Sequence, residues 1–188
     1  MKLKFTILFL SSFFFSPLSA LADKIVISSK IDSGFEGSLV DTRDLSKCLF
    51  KTVKNAVCLP TQGLISKNNI ISIRDFYWLL SVSDLDHNED IIVFGDNLND
   101  VKFLAGLLFL SGQKNIHILD NNIGAILKTN RLDRGVRRNL FRTKLYKGEL
   151  REEFLDFRSD ITPYMKKQNV IKFVNSIISN KALQKVSL

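Results

Sequence analysis

An uninterrupted apolar run, DIIVFG at residues 90–95, most narrows the folds that this chain can adopt. Such a run is typical of a β-strand that is covered on both faces of its sheet. The mostly apolar segment 100–112 predicts a buried helix that ends at Gly112, and NIHIL at 115–119 predicts the next strand. A strand, a helix and a strand in this order imply a parallel sheet. Functional sites of such sheets usually form at the carboxyl ends of the strands.

The segments before residue 90 continue the alternation of strands and helices. Apolar and β-branched residues predict three further strands, at 24–28, 38–42 and 56–60. Two helices are predicted between the strands, one over 44–50 and one over 73–83 that has Ser72 as its N-cap. We therefore expect an α/β domain over residues 23–127, with a small parallel sheet flanked by helices.

The first 22 residues have the order of an export signal. Lys2 and Lys4 form a positive start, an apolar run covers 5–18, and Ala20-Leu21-Ala22 supplies the small residues that a signal peptidase reads. The apolar run is short for a membrane span, which needs about 20 residues. We predict a signal peptide that is cleaved after Ala22, and a periplasmic or secreted location. An uncleaved membrane anchor is the alternative.

Charge divides the remaining chain into two regions. Residues 23–127 contain 10 Lys and Arg against 13 Asp and Glu, whereas residues 128–188 contain 15 against 6. The second region is predicted to be a basic, mostly helical C-terminal extension that contacts a protein partner, with an anionic membrane surface as the alternative. Nucleic acid is not expected as a partner of an exported protein. A solvated basic face that only aids solubility stays open.

Two parts of this extension carry apolar side chains among the charges. Residues 131–148 are rich in arginine and lysine, with Phe141, Leu145 and Tyr146 interspersed. Thr162-Pro163 predicts a helix start, and an apolar stripe follows at helical spacing, formed by Val170, Phe173, Val174, Ile177 and Ile178. The stripe predicts packing on the domain's own sheet or docking on a partner or a membrane surface.

Four segments in order resemble the rhodanese family. LVDTR at 39–43 is similar to the family's Asp-x-Arg strand, and TVKNAVCLP at 52–60 resembles the stretch that follows it. DIIVF at 90–94 resembles the strand that leads into the active-site loop, and GQKNIHILDNNIGAI at 112–126 resembles the family's C-terminal motif. The resemblance covers residues 38–127 and implies a rhodanese-like α/β fold. It also implies a site in the loop after residue 94, where the family carries a catalytic cysteine that holds sulfur as a persulfide.

The site residues depart from this pattern. Gly95 stands at the position of the family's cysteine, and glycine cannot accept sulfur. Asp96 and Asp100 add negative charge that would repel an anionic sulfur donor. Together with the predicted signal peptide, the resemblance thus implies an exported pseudoenzyme, a binding or accessory protein with no catalytic residue and no cofactor. The candidate residual pocket consists of Asp41, Arg43, Gly95, Asp96, Asn97, Leu98, Asn99 and Asp100.

The same loop admits a second interpretation. GDNLND at 95–100 resembles the magnesium loop of haloacid-dehalogenase-type phosphatases, because carboxylates suit hard cations. Those enzymes also need an Asp-x-Asp pair, and DTRD at 41–44 places Arg43 where the second Asp belongs. A phosphatase acting through Asp41 and Asp96, or a metal loop without catalysis, is an alternative, although we expect no metal. In the simplest interpretation Asn99 or Asp100 caps the following helix and Gly95 permits a tight turn.

Cys48 and Cys58 are the two cysteines of the chain. An even number of cysteines in an exported protein predicts a disulfide, and the rhodanese resemblance places the two residues on a neighbouring helix and strand. Two buried free thiols are one alternative. The other is a periplasmic sulfur-handling role for Cys58.

Overall fold

A computed structural model describes residues 24–66, 69–156, 166–179 and 186–187. Its strands are β1 Lys24–Ser28, β2 Ser38–Asp41, β3 Thr52–Val53, β4 Val57–Cys58, β5 Ile65–Ser66, β6 Asn69–Ile70, β7 Asp90–Phe94, β8 Asn115–Leu119, β9 Leu132–Asp133, β10 Leu155–Asp156 and β11 Val186–Ser187. Its α-helices are α1 Leu45–Phe50, α2 Ile73–Val82, α3 Leu98–Leu110, α4 Ile123–Thr129 and α5 Lys167–Ile178. Single turns of 3₁₀-helix cover Thr61–Leu64 and Glu152–Phe154.

Five strands form one parallel sheet in the order β1-β8-β7-β2-β4. The apolar strand β7 is the central strand of this sheet. This position agrees with the prediction that both faces of the strand are covered. Asp41 at the end of β2 lies in register with Phe94 at the end of β7, so the segments that follow both strands leave the sheet at the same edge. The predicted α/β fold with a small parallel sheet flanked by helices is confirmed.

Helix α3 forms the centre of the larger core. Nine of its residues are buried, and they pack with the inward side chains of β7 and β8. The apolar stripe of α5 packs on α3 so closely that a Cβ atom on Gly106 would overlap Val170 and Val174. The stripe was predicted to pack on the sheet; it packs within the domain, but mainly against α3, the helix that covers one face of the sheet. A smaller core, which includes Phe94 and Ile126, covers the other face of the sheet.

The chain beyond α4 crosses the domain surface in an irregular path. β9 pairs with β3, and the Cys58 N–H donates to the Val136 carbonyl at 2.9 Å, so this segment covers the outer edge of β4. Further along, the Asn139 N–H donates to the Val82 carbonyl and the Arg151 N–H to the Leu110 carbonyl, both at 2.8 Å. These bonds fasten the path to the carboxyl ends of α2 and α3. The predicted boundary at residues 127 and 128 stays a prediction.

Some predictions concern residues outside the described ones, namely the signal peptide over 1–22 and the helix start at Thr162-Pro163. Among the described residues, none of the helices has the length and hydropathy that a membrane span requires. The predicted N-cap at Ser72 is confirmed, because its hydroxyl accepts from the Asp75 N–H at 3.1 Å.

Candidate functional site

The candidate residues meet at the carboxyl edge of the sheet, where β2 and β7 end side by side. The Thr42 N–H donates to the Phe94 carbonyl at 2.9 Å, which extends the pairing of the two strands by one residue. The loop that follows β7, residues 95–97, therefore lies against the Asp41-Thr42-Arg43 segment. The structure brings these two predicted parts of the site together.

Asp41 and Arg43 form a buried ion pair. The Arg43 Nη2 lies 2.7 Å from Asp41 Oδ2, and the Arg43 backbone N–H also donates to Asp41 Oδ1 at 2.9 Å. Thr52 Oγ1 donates to the same carboxylate at 2.6 Å, while the guanidinium donates to the Lys51 carbonyl at 2.7 Å. Asp41 is fully buried, and both of its carboxylate oxygen atoms accept hydrogen bonds from these protein groups. The carboxylate therefore does not face the pocket.

Asp96 is neutralised by two cations. Its carboxylate lies 2.9 Å from Lys47 Nζ and 4.0 Å from Arg43 Nε. The hydrogen bond from Lys47 to Asp96, with the attraction between their charges, raises the pKa of Lys47 above 10.5. Asp100 is also paired, with Lys167 at the start of α5. The negative charge of the loop is therefore largely balanced.

The start of α3 differs from the sequence prediction. The helix begins at Leu98, and its N-cap is Asn97, whose side chain accepts from the Asn99 N–H at 2.9 Å. The expectation that Asn99 or Asp100 caps the helix was wrong, because the helix starts about one half turn earlier. Asn99 faces solvent, and Leu98 packs against the larger core, so neither side chain adds chemistry to the pocket.

Gly95 is required for close packing. Its φ angle lies outside the left-handed region, since Gly112 is the one glycine with positive φ among the described residues. A Cβ atom on Gly95 would instead overlap the Thr42 hydroxyl, which donates to the Phe94 carbonyl at 3.2 Å. We expected a glycine here because it permits a tight turn. The structure gives a different reason, namely that the Thr42 hydroxyl occupies the space that a side chain would need.

The cleft that remains is small. It has a volume of about 130 Å³, room for only a few water molecules. Of the eight predicted pocket residues, Arg43, Asp96, Asn97 and Asp100 line it; Asp41, Gly95, Leu98 and Asn99 do not. Sequence reasoning missed three other lining residues, Thr42, Asp44 and Gln62. No group of His, Cys, Asp or Glu among the described residues has an arrangement that would hold a metal ion.

Cys48 and Cys58 form a disulfide between α1 and β4, with their Cα atoms 5.8 Å apart. Both residues are fully buried. Gly135, in the segment that covers β4, lies directly on this disulfide, and its N–H donates to the Cys48 carbonyl at 3.1 Å. The predicted pairing is present, and its sulfur atoms are enclosed by the domain.

No protein-family model and no curated protein sequence matches this chain. Solved structures match it in fold. The crystal structure of YnjE is 14% identical with a TM-score of 0.50, over 71% of this chain and 30% of that one. Wild-type EanB is 12% identical with a TM-score of 0.52, over 72% and 33%. A Rhodanese_3-like domain from Anabaena sp. is 19% identical, with a TM-score of 0.40, over 56% and 100%.

The chain spans about a third of the length of YnjE and of EanB. At these identities the matches define the fold and leave the activity open. The chain shares an α/β fold with these two structures, and its own version is a five-stranded parallel sheet flanked by helices.

Proposed function

We propose that this protein is an exported, non-catalytic rhodanese-like protein that acts as a binding or accessory module, with Gly95 at the position of the family's catalytic cysteine. Gly95 directly follows the central strand β7 and precedes α3, at the edge of the sheet where sites of such folds form. This placement agrees with the motif order in the sequence.

One observation carries the proposal. The Thr42 hydroxyl fills the space that any side chain at position 95 would enter. A nucleophile at that position would need the Thr42 side chain to rotate and break its bond to the Phe94 carbonyl. A side chain at position 95 and the Thr42 hydroxyl in its present orientation therefore exclude each other.

A protein that carries sulfur as a persulfide needs a reactive thiol. One EanB structure contains a cysteine persulfide together with ergothioneine. Here both cysteines of the chain are in the disulfide between α1 and β4, beneath Gly135. For Cys58 to carry sulfur, the disulfide would have to be reduced and the covering segment displaced. This arrangement favours a structural role over the alternative of sulfur handling.

The phosphatase alternative meets an obstacle at Arg43. The guanidinium lies between the two carboxylates that would hold magnesium, bound to Asp41 and 4.0 Å from Asp96. A cation at that point would oppose the binding of a second cation. Asp41 is also buried and saturated with hydrogen bonds, so it cannot reach a phosphate ester.

Turnover assays test the proposal. The purified protein is incubated with thiosulfate and cyanide, before and after reduction of the disulfide, and thiocyanate is measured. Hydrolysis of p-nitrophenyl phosphate with magnesium is measured in parallel. We expect no thiocyanate above a Cys58→Ser control and no p-nitrophenol above an Asp96→Asn control. Thiocyanate formation that Cys58→Ser abolishes would overturn the non-catalytic proposal in favour of a sulfur carrier.

Export is tested separately. The chain is expressed with its first 22 residues in a bacterial host, and the N-terminus of the protein from each compartment is sequenced. We expect the periplasmic or secreted protein to begin at Asp23. An Ala22→Arg variant should accumulate uncleaved, because a large charged residue at that position blocks recognition by the peptidase. Wild-type protein that keeps Met1 in the cytoplasm would contradict export.

A further inference from the structure

The segment Asn139–Leu145, called here the 139–145 loop, presents large apolar side chains to solvent. Leu140 is 89% exposed, Phe141 81% and Leu145 60%. Trp78, on the neighbouring helix α2, is 51% exposed. Single exposed apolar residues are ordinary, whereas a concentration of large ones marks an interaction surface.

Hydrogen bonds hold this loop so that its apolar side chains face outward. The Asn139 side chain donates to Asp84 Oδ2 at 2.6 Å, and the Thr143 hydroxyl donates to the same carboxylate. Just after the loop, the Tyr146 N–H donates to the Ser81 hydroxyl at 2.9 Å. Polar groups of the loop thus face the end of α2, which leaves Leu140 and Phe141 on the solvent side.

The loop and α2 form one continuous face. A groove of about 530 Å³ lies between them, and its walls include Trp78 and Leu145 together with the cations Arg74 and Arg142. The buried Tyr146 forms the groove's floor beside Tyr77, with ring centroids 5.5 Å apart. Trp78 of α2 and Leu145 of the loop are therefore neighbours on the folded surface.

The charge around this face is strongly positive. Residues 134–148 contain six Lys and Arg and no Asp or Glu. Arg137, Arg138 and Arg142 are exposed beside the apolar pair. Nearby carboxylates are engaged. Asp84 binds the loop, and Glu89 lies 3.7 Å from Lys144. Asp75, which also lines the groove, accepts from the Ser72 hydroxyl at 2.7 Å and lies 3.9 Å from Arg74 Nε. A ligand of this face would carry negative charge next to an apolar phase.

We propose that the 139–145 loop and Trp78 dock this protein on an anionic phospholipid surface. Leu140 and Phe141 are 89% and 81% exposed, as suits side chains that insert among acyl chains. The arginines lie where phosphate groups would meet them, and Trp78 suits the headgroup level. The inference goes beyond the proposed function and does not depend on whether the rhodanese-like site is catalytic.

Trp78 reports on this face directly because it is the single tryptophan of the chain. The full-length mature protein is titrated with vesicles of phosphatidylcholine containing about one third phosphatidylglycerol. We expect a blue shift of tryptophan fluorescence, quenching by brominated acyl chains, and co-sedimentation. Binding to pure phosphatidylcholine should be much weaker, and added salt should weaken binding to the anionic vesicles.

Two variants separate the apolar and the electrostatic contributions. Leu140→Ser with Phe141→Ser should lower the partition coefficient by roughly tenfold or more. The reason is that serine gains much less free energy than leucine or phenylalanine on insertion among acyl chains. Arg137→Gln, Arg138→Gln and Arg142→Gln together should lower it by about a hundredfold. Matched controls lie elsewhere on the surface: Phe50→Ser, at 83% exposure on α1, and the triple change Lys24→Gln, Lys30→Gln and Lys128→Gln. Neither control should reduce binding more than about twofold.

Other outcomes overturn the proposal. Absence of binding to anionic vesicles would remove the membrane as the occupant and leave an acidic protein partner for this face. Binding that the Leu140 and Phe141 changes do not affect would show adsorption by charge alone. Equal losses in the control variants would show that the face is not specific. The thiocyanate assay is independent of these results, so failure of one proposal is distinguishable from failure of the other.

Discussion

The hydroxyl of Thr42 occupies the space into which a side chain at position 95 would project. We predict that Gly95→Ala destabilises the protein by about 1–3 kcal/mol, because the added methyl group overpacks a closed site. Thr42→Ala should cost only about 1 kcal/mol, for the loss of its bond to the Phe94 carbonyl. In the double variant the two costs should not add, and the coupling energy should be about 1 kcal/mol or more.

Chemical denaturation of the four proteins measures this cycle. Gly34→Ala is the matched control, because a Cβ atom there meets nothing within 4 Å. Strictly additive costs for the Gly95 and Thr42 changes would show that the hydroxyl does not explain the glycine.

A second prediction concerns the electrostatics of the loop. Gly95→Cys with Thr42→Ala places a thiol next to Asp96, which is paired with Lys47 at 2.9 Å. Adding Asp96→Asn removes one negative charge and leaves Lys47 without that partner. We therefore expect the new thiol to react about three- to tenfold faster with anionic iodoacetate, relative to neutral iodoacetamide. The native disulfide takes no part under non-reducing conditions.

The ratio of the two alkylation rates is the measurement, since it cancels differences in exposure of the thiol. Asp32→Asn, a remote exposed carboxylate, serves as control and should leave the ratio unchanged. An unchanged ratio after Asp96→Asn would mean that Lys47 and Arg43 already screen the carboxylate completely.

The ion pair of Asp41 and Arg43 yields a third prediction. Arg43→Gln leaves a fully buried carboxylate without its cation and should destabilise the protein by about 3–5 kcal/mol. Adding Asp41→Asn should recover part of this loss, because no unpaired charge then stays buried. Arg74→Gln is the comparison, as its side chain is 94% exposed and should change stability by less than about 0.5 kcal/mol. Equal effects of Arg43→Gln and Arg74→Gln in urea denaturation would contradict the structural role of the pair.

Local patterns in the sequence predicted most of the sheet and its helices. Strand β7, helix α3 and the N-cap at Ser72 were all predicted. Each depends on a pattern that spans only neighbouring residues of the sequence. The α3 boundary was wrong because Asn97, Asn99 and Asp100 all have N-cap chemistry. Which of them caps the helix depends on where the chain leaves β7, and spacing alone does not contain that information.

The candidate site was less predictable because its contacts are distant in sequence. Asp96 pairs with Lys47 across 49 residues, and Asp100 pairs with Lys167 across 67. From sequence, these carboxylates suggested a repulsive or metal-binding loop. The folded arrangement balances their charge with lysines from α1 and α5. The close contact between Thr42 and Gly95 likewise arises only when β2 and β7 pair side by side, so the sequence alone does not reveal it.

The disulfide yields a fourth prediction. Exported protein, unfolded without reductant, should show no thiol to a maleimide reagent, and its mass should be lower than that of the reduced form by two hydrogen atoms. Cys48→Ser with Cys58→Ser should lower stability by about 2–3 kcal/mol for a closed loop of this length. Membrane binding should persist, because both cysteines are fully buried and neither belongs to the 139–145 loop. Two titratable thiols in freshly isolated protein would contradict the prediction.

The last prediction concerns stability at alkaline pH. Burial raises the pKa of the Tyr146 phenol well above 10.0, and burial also raises that of Tyr77. Unfolded chains release the phenolic proton near pH 10, whereas the folded protein retains it. The stabilisation is therefore complete below about pH 10 and declines as pH rises further, by at most about 1.4 kcal/mol per pH unit for each phenol.

Tyr146→Phe separates this effect from other alkaline changes. At pH 8 the variant should be less stable than wild type by about 0.5–1.5 kcal/mol, because the bond from the phenol to Gln113 Oε1, 3.1 Å long, is lost. Above pH 10 the difference should narrow and then reverse, since the variant has no buried phenol at position 146 to ionise on unfolding. Tyr77→Phe should give a smaller change of slope, as that ring is only partly buried. Denaturation midpoints between pH 8 and pH 11 measure both variants, and parallel curves for wild type and Tyr146→Phe would refute the burial argument.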